Sequence, residues 1–248
     1  MAVINTNSSA TIATNALIKN ERAINKAMNQ LSTGSRINRA ADDAAGLGVS
    51  IVMTSQINGL NQAIRNANDG ISLAQTADGA LSEVTDIFQR MRELSVQAGN
   101  SALSATQRDY LSTEFIALGY ALDTVAANTS FNGVAILQND GGADPNNNSY
   151  AINGADASTT MATVTVLSLY YYVALAQFLD IGSGGAFAGD IVIAAIDGAL
   201  DAIAGSRADL GAAMNTLAYV ADSQMVEIAN TEASRSRIAD TDYAAATT

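Results

Sequence analysis

INGLNQAIRNANDGISLA, residues 57–74, places Ile57, Leu60, Ile64, Ala67, Ile71 and Ala74 in steps of three, four, three, four and three. Such spacing lays a narrow apolar stripe along one side of a long helix, the geometry of coiled-coil packing. A stripe of this kind cannot be buried by its own helix, so it requires a partner. Near the other end of the chain the pattern returns in Ile193, Ile196, Leu200 and Ile203, then in Leu210, Met214, Leu217 and Ala221. The fold class expected is mainly α: a long antiparallel helical bundle or coiled coil built from both chain ends, with a small β-rich insert in mid-chain. The simplest arrangement is a rod whose ends pack side by side, with the middle of the chain at the far tip.

Working outward, the helix containing residues 57–74 is expected to run from about Ala44 to Ala98. Asp42 or Asp43 would cap its start, and Ala77, Leu81, Val84, Phe88, Met91 and Leu94 would continue its stripe. Two successive steps of three, Ile71 to Ala74 to Ala77, predict local overwinding of the supercoil. Before it, a first helix is expected over about Ala10 to Ser32. There Ala10, Leu17, Ile24 and Leu31 recur every seven residues, and Asn20 is the polar exception, suited either to fixing register or simply to a partly wet position. Lys19, Arg22 and Lys26 form a basic stripe, either a solvated face or a contact with another subunit. Gly34 suits the left-handed position that ends a helix.

After Gly99-Asn100-Ser101, Thr106 with Asp109 would start a third helix striped by Leu111, Phe115, Leu118, Leu122 and Val125. The short connection makes it an antiparallel neighbour of the second. From about Asn128 to Asp190 the helical signal fails. Asn139-Asp140-Gly141-Gly142 and Asn146-Asn147-Asn148 are turn signals, and Val164, Val166, Leu167 and the Tyr170–Val173 run favour strand. The last long helix runs from about Ile191 past Ile228. The organisation expected is therefore 1–43 as a helix and connector, 44–138 with 191–235 as a helical rod, 139–190 as a β/loop insert, and 236–248 as the start of a C-terminal segment.

Composition narrows the chemistry. Among 248 residues there is no histidine, cysteine or tryptophan, and Pro145 is the one proline. Imidazole acid–base catalysis, thiol nucleophiles, disulfides and nearly all zinc sites are thereby excluded. With 12 basic residues against 24 acidic, and none basic between Arg108 and Arg207, binding to nucleic acid or to an anionic membrane surface is disfavoured. Val164–Leu179 is the most apolar run but falls short of the ~20 residues of a membrane span, so no membrane insertion is expected. The start, MAVINTNSSATIATNALIKNE, lacks the basic and apolar parts of a cleaved secretory leader.

Candidate chemical motifs reduce to ordinary structure. Gly182-Ser183-Gly184-Gly185 lacks phosphate-loop or dinucleotide spacing, Asp140, Asp144 and Asn146 lack a calcium loop's spacing and terminal glutamate, and Asp240 with Asp242 reads as a solvated helix end. No catalytic residue, metal site or cofactor is expected. Asn7, Asn128 and Asn147 fit the glycosylation acceptor pattern.

An ordered set of motifs carries a resemblance. Leu31–Ser50 reads LSTGSRINRAADDAAGLGVS, Gln56–Leu60 QINGL, Arg65–Gly70 RNANDG, and Gln89–Asn100 QRMRELSVQAGN. Asn128–Gly133 (NTSFNG), Ser206–Ala212 (SRADLGA) and Ser234–Ala244 (SRSRIADTDYA) follow. Together they resemble bacterial flagellin over about Met1–Leu137 and Ile193–Ala244. The resemblance implies a secreted, extracellular subunit that self-assembles into the helical flagellar filament. Its partners would be the flagellar export apparatus, a chaperone and the filament cap. It further implies that the terminal segments form the filament core, with Leu17, Ile24 and Leu31 as a polymerisation seam. Gln89, Arg90, Leu94 and Glu114 match residues of the family read by Toll-like receptor 5, on a surface that also contacts neighbouring subunits.

Family members continue past the DTDYA-like motif into another apolar-striped helix that pairs with the first. A chain stopping at Thr248 is expected to be truncated and to leave the first helix without that partner. Ser35 stands where the family usually has a larger apolar residue. Two alternatives stay open: the related hook–filament junction protein, and a flagellin-like surface protein binding polysaccharide through Tyr170–Tyr172. The zinc peptidase insert of some relatives needs histidines this chain lacks.

Overall fold

A computed structural model describes residues 7–138, 147–155, 159–169, 181 and 189–247. The expectations for Asp140, Asp144, Asn146, Tyr170–Val173 and Gly182–Gly185 lie outside the described residues. The long elements are α1 (Ser8–Thr33), α2 (Ala44–Ala98), α3 (Ala105–Asn128) and α4 (Gly189–Ala239), followed by a short α5 (Tyr243–Ala246). Four strands pair as two hairpins, β1 (Ser130–Phe131) with β2 (Val134–Ala135) and β3 (Asn147–Asn153) with β4 (Thr160–Leu167), both antiparallel. The mainly helical architecture with a small strand insert agrees with the stripe reading.

The chain forms two compact units, residues 62–224 and residues 1–61 with 225–248. In the first unit α2 buries Leu81, Val84, Phe88, Met91 and Leu94, α3 buries Phe115 and Leu122, and α4 buries Ile196, Ile203, Leu210 and Leu217. Each such side chain contributes roughly 1.5–3 kcal/mol before ordering costs. The α4 stripe is centred slightly off its expected line. Val192 and Ala199 are buried, while Ile193 and Leu200 are half-buried. Small Ala at 199 lets helices approach closely, which a search for large apolar residues overlooks.

Ion pairs give the helix directions. Arg90, eight residues before the end of α2, meets Glu114, nine residues after the start of α3, so the two run antiparallel. Between α2 and α4, Asp78 pairs with Arg207 and Arg92 with Asp197. Rising numbers on α2 meet falling numbers on α4, again antiparallel. The start of α3 differs from expectation. Ser104, not Thr106, is the cap: its hydroxyl accepts from Gln107 N (3.3 Å), and Gln107 Oε1 accepts from Ser104 N (2.9 Å), a capping box.

Asn132 (φ 50°) and Gly133 (φ 80°) form the β1–β2 turn, where an Asn-Gly pair supplies the two positive φ values a tight hairpin needs. The β3–β4 hairpin is fixed to this corner. Buried Asn148 donates its amide to the carbonyls of Ile136 and Gln138, and Leu169 N donates to Leu137 O (2.9 Å). Gly70 makes room for the hairpin, since a Cβ there would lie 2.9 Å from Ile152 and 3.0 Å from Leu217.

In the second unit, Gly34 (φ 69°) ends α1 in the left-handed conformation, as its position after Ser32 and Thr33 predicts. The two aspartates before α2 divide their work. Asp43 caps α2 by accepting from Gly46 N (2.9 Å), whereas Asp42 accepts from Asn38 N and Arg39 N and pairs with Lys26 at 3.2 Å. The Lys26 hydrogen bond, with the two backbone donors, holds the Asp42 carboxyl below its usual range. No helix among the described residues is long and apolar enough to cross a membrane.

Candidate functional site

A heptad stripe needs a partner surface, and among the described residues most of the α1 stripe is uncovered. No residue of α1 is buried. Leu17 is 69% exposed, Ile24 58% and Met28 62%, while Leu31 at the end of the helix is half-covered. The helix itself is well started, since Asn7 Oδ1 accepts from Ala10 N at 3.1 Å. Asn20 is exposed. Contiguous apolar surface of this kind marks an interaction face.

The end of α1 is strapped to the end of α4. Arg36 N donates to Ala239 O (2.7 Å), Thr241 N donates to Gly34 O (3.0 Å), and Ser35 forms an antiparallel bridge with Asp240. Ser35 Oγ adds a bond to Ala239 O (3.0 Å), and the Arg36 guanidinium donates to Ile238 O. A larger apolar residue at 35 would lack the hydroxyl bond. Ser35 thus contributes polar fastening at the position where the resemblance expects apolar contact. Tyr243 OH reaches Leu31 O at 3.4 Å.

The third surface lies on α2 and α3. Arg90 Nε and Nη2 both donate to Glu114 Oε1 (2.9 and 2.7 Å), and Nη1 donates to Glu93 Oε2 (2.9 Å). The hydrogen bond to Glu114, then that to Glu93, raises the Arg90 pKa above its ordinary value. Of the four residues singled out from sequence, Arg90 and Glu114 come together on an exposed face, Gln89 is exposed next to Arg90 in sequence, and Leu94 does not join them. It is 1% exposed and packs in the core with Phe88 and Met91, so it offers no accessible apolar anchor. Sequence reading overlooked Val96, which is 54% exposed and, with Gln89, Arg92, Glu93 and Gln97, lines a depression of about 500 Å³. Its off-stripe position, two residues past Leu94, was the available signal. Val49, Ile51 and Val52 on α2 and Met225 and Val226 on α4 are exposed as well, and all fall off the stripes that were followed.

Comparison with known proteins identifies this arrangement. Residues 4–141 match the bacterial flagellin N-terminal helical region, and residues 193–248 match the bacterial flagellin C-terminal helical region. The flagellar filament 33 kDa core protein of Treponema phagedenis is 38% identical over 98% of this chain and 87% of its own length. Flagellin A of Vibrio cholerae is 50% identical over 54% of this chain, which spans only 35% of that longer protein. The crystal structure of Bacillus cereus flagellin superposes with a TM-score of 0.53 at 27% identity, covering 64% of this chain and 88% of the other. Neither the junction protein nor a polysaccharide-binding surface protein finds support in these matches. The chain belongs to the bacterial flagellin family and is a subunit of the extracellular flagellar filament.

Proposed function

We propose that polymerisation proceeds by burial of the α1 stripe, Leu17, Ile24 and Leu31, against partner helices in the growing filament. The supporting observation is the contrast in burial: the apolar repeat is covered along α2 from Ile57 on, whereas Leu17 and Ile24 on α1 are exposed. Covering Leu17 and Ile24 contributes roughly 1.5–3 kcal/mol each, and less for the half-covered Leu31, offset in part by ordering of the helix. An isolated helix of this length is marginal in water, so assembly and α1 helicity would rise together. The family resemblance supports delivery of the subunit by the flagellar export apparatus with a chaperone, and its placement under a cap. Seeded polymerisation imaged by electron microscopy tests the reading. Leu17→Glu/Ile24→Glu should stop elongation while leaving residues 62–224 folded. Normal elongation of that variant would overturn the role of the stripe.

The exposed Gln89, Arg90 and Glu114 group supports a second reading, recognition by Toll-like receptor 5. A polar face built on two rigid helices is suited to a partner protein. Gln89→Ala/Arg90→Asp should weaken receptor binding. Unchanged affinity removes the assignment.

A further inference from the structure

The side of α1 facing the connector has a chemistry that the apolar stripe does not use. A cleft of about 400 Å³ lies there, lined by Arg22, Asn25, Lys26 and Asn29 of α1 and by Arg39 and Asp42 of the connector. With 3.6 residues per turn, Arg22, Lys26 and Asn29 share a face roughly opposite Leu17, Ile24 and Leu31. Three cations here face one carboxylate, and that carboxylate is already engaged. Asp42 holds Lys26 at 3.2 Å and accepts from two backbone N–H groups. Among the described residues no carboxylate pairs with Arg22 or Arg39.

The charge of the whole chain makes this local excess informative. Five of the 12 basic residues but one of the 24 acidic residues lie in residues 1–40, a net charge of +4, and residues 41–248 carry −16. An acidic surface is therefore what every other copy presents. A phosphate polymer would be repelled by the rest of the molecule.

We propose that the cleft is a docking site for a carboxylate-bearing surface within residues 41–248 of a second copy of the chain. The proposal rests on the self-assembly reading above. α1 then serves two neighbours, one through its apolar stripe and one through its basic side. Oppositely charged patches steer approach and fix register, and their contribution weakens with salt.

Lys19 and Lys26 are the only lysines, so carbodiimide cross-linking has an unusually clean readout. The reagent activates a carboxylate, and a nearby lysine amine displaces the urea to form an amide. Filaments assembled from equal amounts of ¹⁴N- and ¹⁵N-labelled subunits are cross-linked, digested and analysed by mass spectrometry. The expected product is a mixed-isotope peptide joining Lys26 to an Asp or Glu beyond residue 43. Filaments in which Lys26 joins only Asp42 of its own copy overturn the proposal while assembly stands. Failure to form filaments at all overturns both. Independently, Arg22→Glu/Arg39→Glu should slow seeded elongation by about tenfold or more at low salt, with far-ultraviolet circular dichroism unchanged. Equal slowing by Arg65→Glu/Arg237→Glu, which changes net charge identically, counts against the cleft. Displacement of Lys26 resonances in the monomer by inorganic phosphate, without intermolecular cross-links, assigns the cleft to free anions instead.

Discussion

α1 and α2 are written in the same apolar repeat and have opposite fates. Leu81, Phe88 and Met91 on α2 are buried against α3 and α4, whereas Leu17 and Ile24 on α1 face solvent. Periodicity specifies that a helix wants a partner; it does not say whether the partner belongs to the same molecule. In the unit of residues 62–224 the chain supplies its own three-helix core. In the unit containing α1 the same code leaves Leu17 and Ile24 uncovered among the described residues.

Stability measurements offer the largest test of this division. Phe115→Ala should cost about 3–5 kcal/mol in the unfolding free energy of the monomer, since it removes a fully buried ring from the centre of the three-helix core. Leu17→Ala should change the same quantity by less than about 0.5 kcal/mol. The order reverses in seeded elongation, where Leu17→Ala slows growth. Comparable destabilisation of the monomer by the two variants would show that α1 is already packed, and the comparison would collapse.

A smaller effect probes the strap between α1 and α4. Gly34 holds φ 69°, and a Cβ there would meet Tyr243 OH at 3.2 Å. Gly34→Ala should cost about 1–2 kcal/mol locally, because an L-residue is strained in the left-handed region. Hydrogen exchange at the Arg36 and Thr241 amides, which donate across the strap, should quicken, while exchange in α3 stays unchanged. Uniform quickening throughout would mean that the two units open as one. In the other unit, Ser104→Ala removes the hydroxyl half of the α3 capping box and should cost about 1 kcal/mol in thermal unfolding.

How legible each region was follows from the physics that sets it. The bounds of α2 could be read because Asp43 and Gly99 punctuate an uninterrupted stripe. The cap of α3 was misplaced. Thr106-Asp109 and Ser104-Gln107 both offer a hydroxyl with a polar residue three positions on, and only the backbone angles at Ser104 decide between them. The small hairpin at Asn132-Gly133 was legible in principle from its dipeptide, but two-residue strands leave no alternation to find. In the surface group, Arg90 and Glu114 lie 24 residues apart and meet because α2 and α3 are antiparallel. Leu94 differs in kind: sequence motifs cannot separate a residue exposed for recognition from one kept for packing. Its heptad position already placed it on the buried side, and the structure follows the heptad.

The smallest effect concerns acid. Arg92 bonds Asp197 between α2 and α4, with Nε to Oδ1 at 2.7 Å, and this hydrogen bond lowers the Asp197 pKa from its ordinary value. A carboxyl whose folded pKa lies below its unfolded value, about 3.9, stabilises the fold above that unfolded value. The contribution is lost as pH falls through the lower, folded pKa. Both side chains are nearly half exposed, so solvent screening keeps the effect slight and salt reduces it further. Asp197→Asn should therefore leave thermal stability near pH 7 slightly reduced and flatten its decline below about pH 4. The stripe of α1 contains no group titrating there, so elongation from preformed seeds at pH 5 to 7 should be the same for Asp197→Asn as for the unsubstituted chain. A variant that lost elongation while keeping its melting temperature would place Asp197 at a contact between copies, and the boundary between self-sufficient core and assembly surface would have to be redrawn through α4.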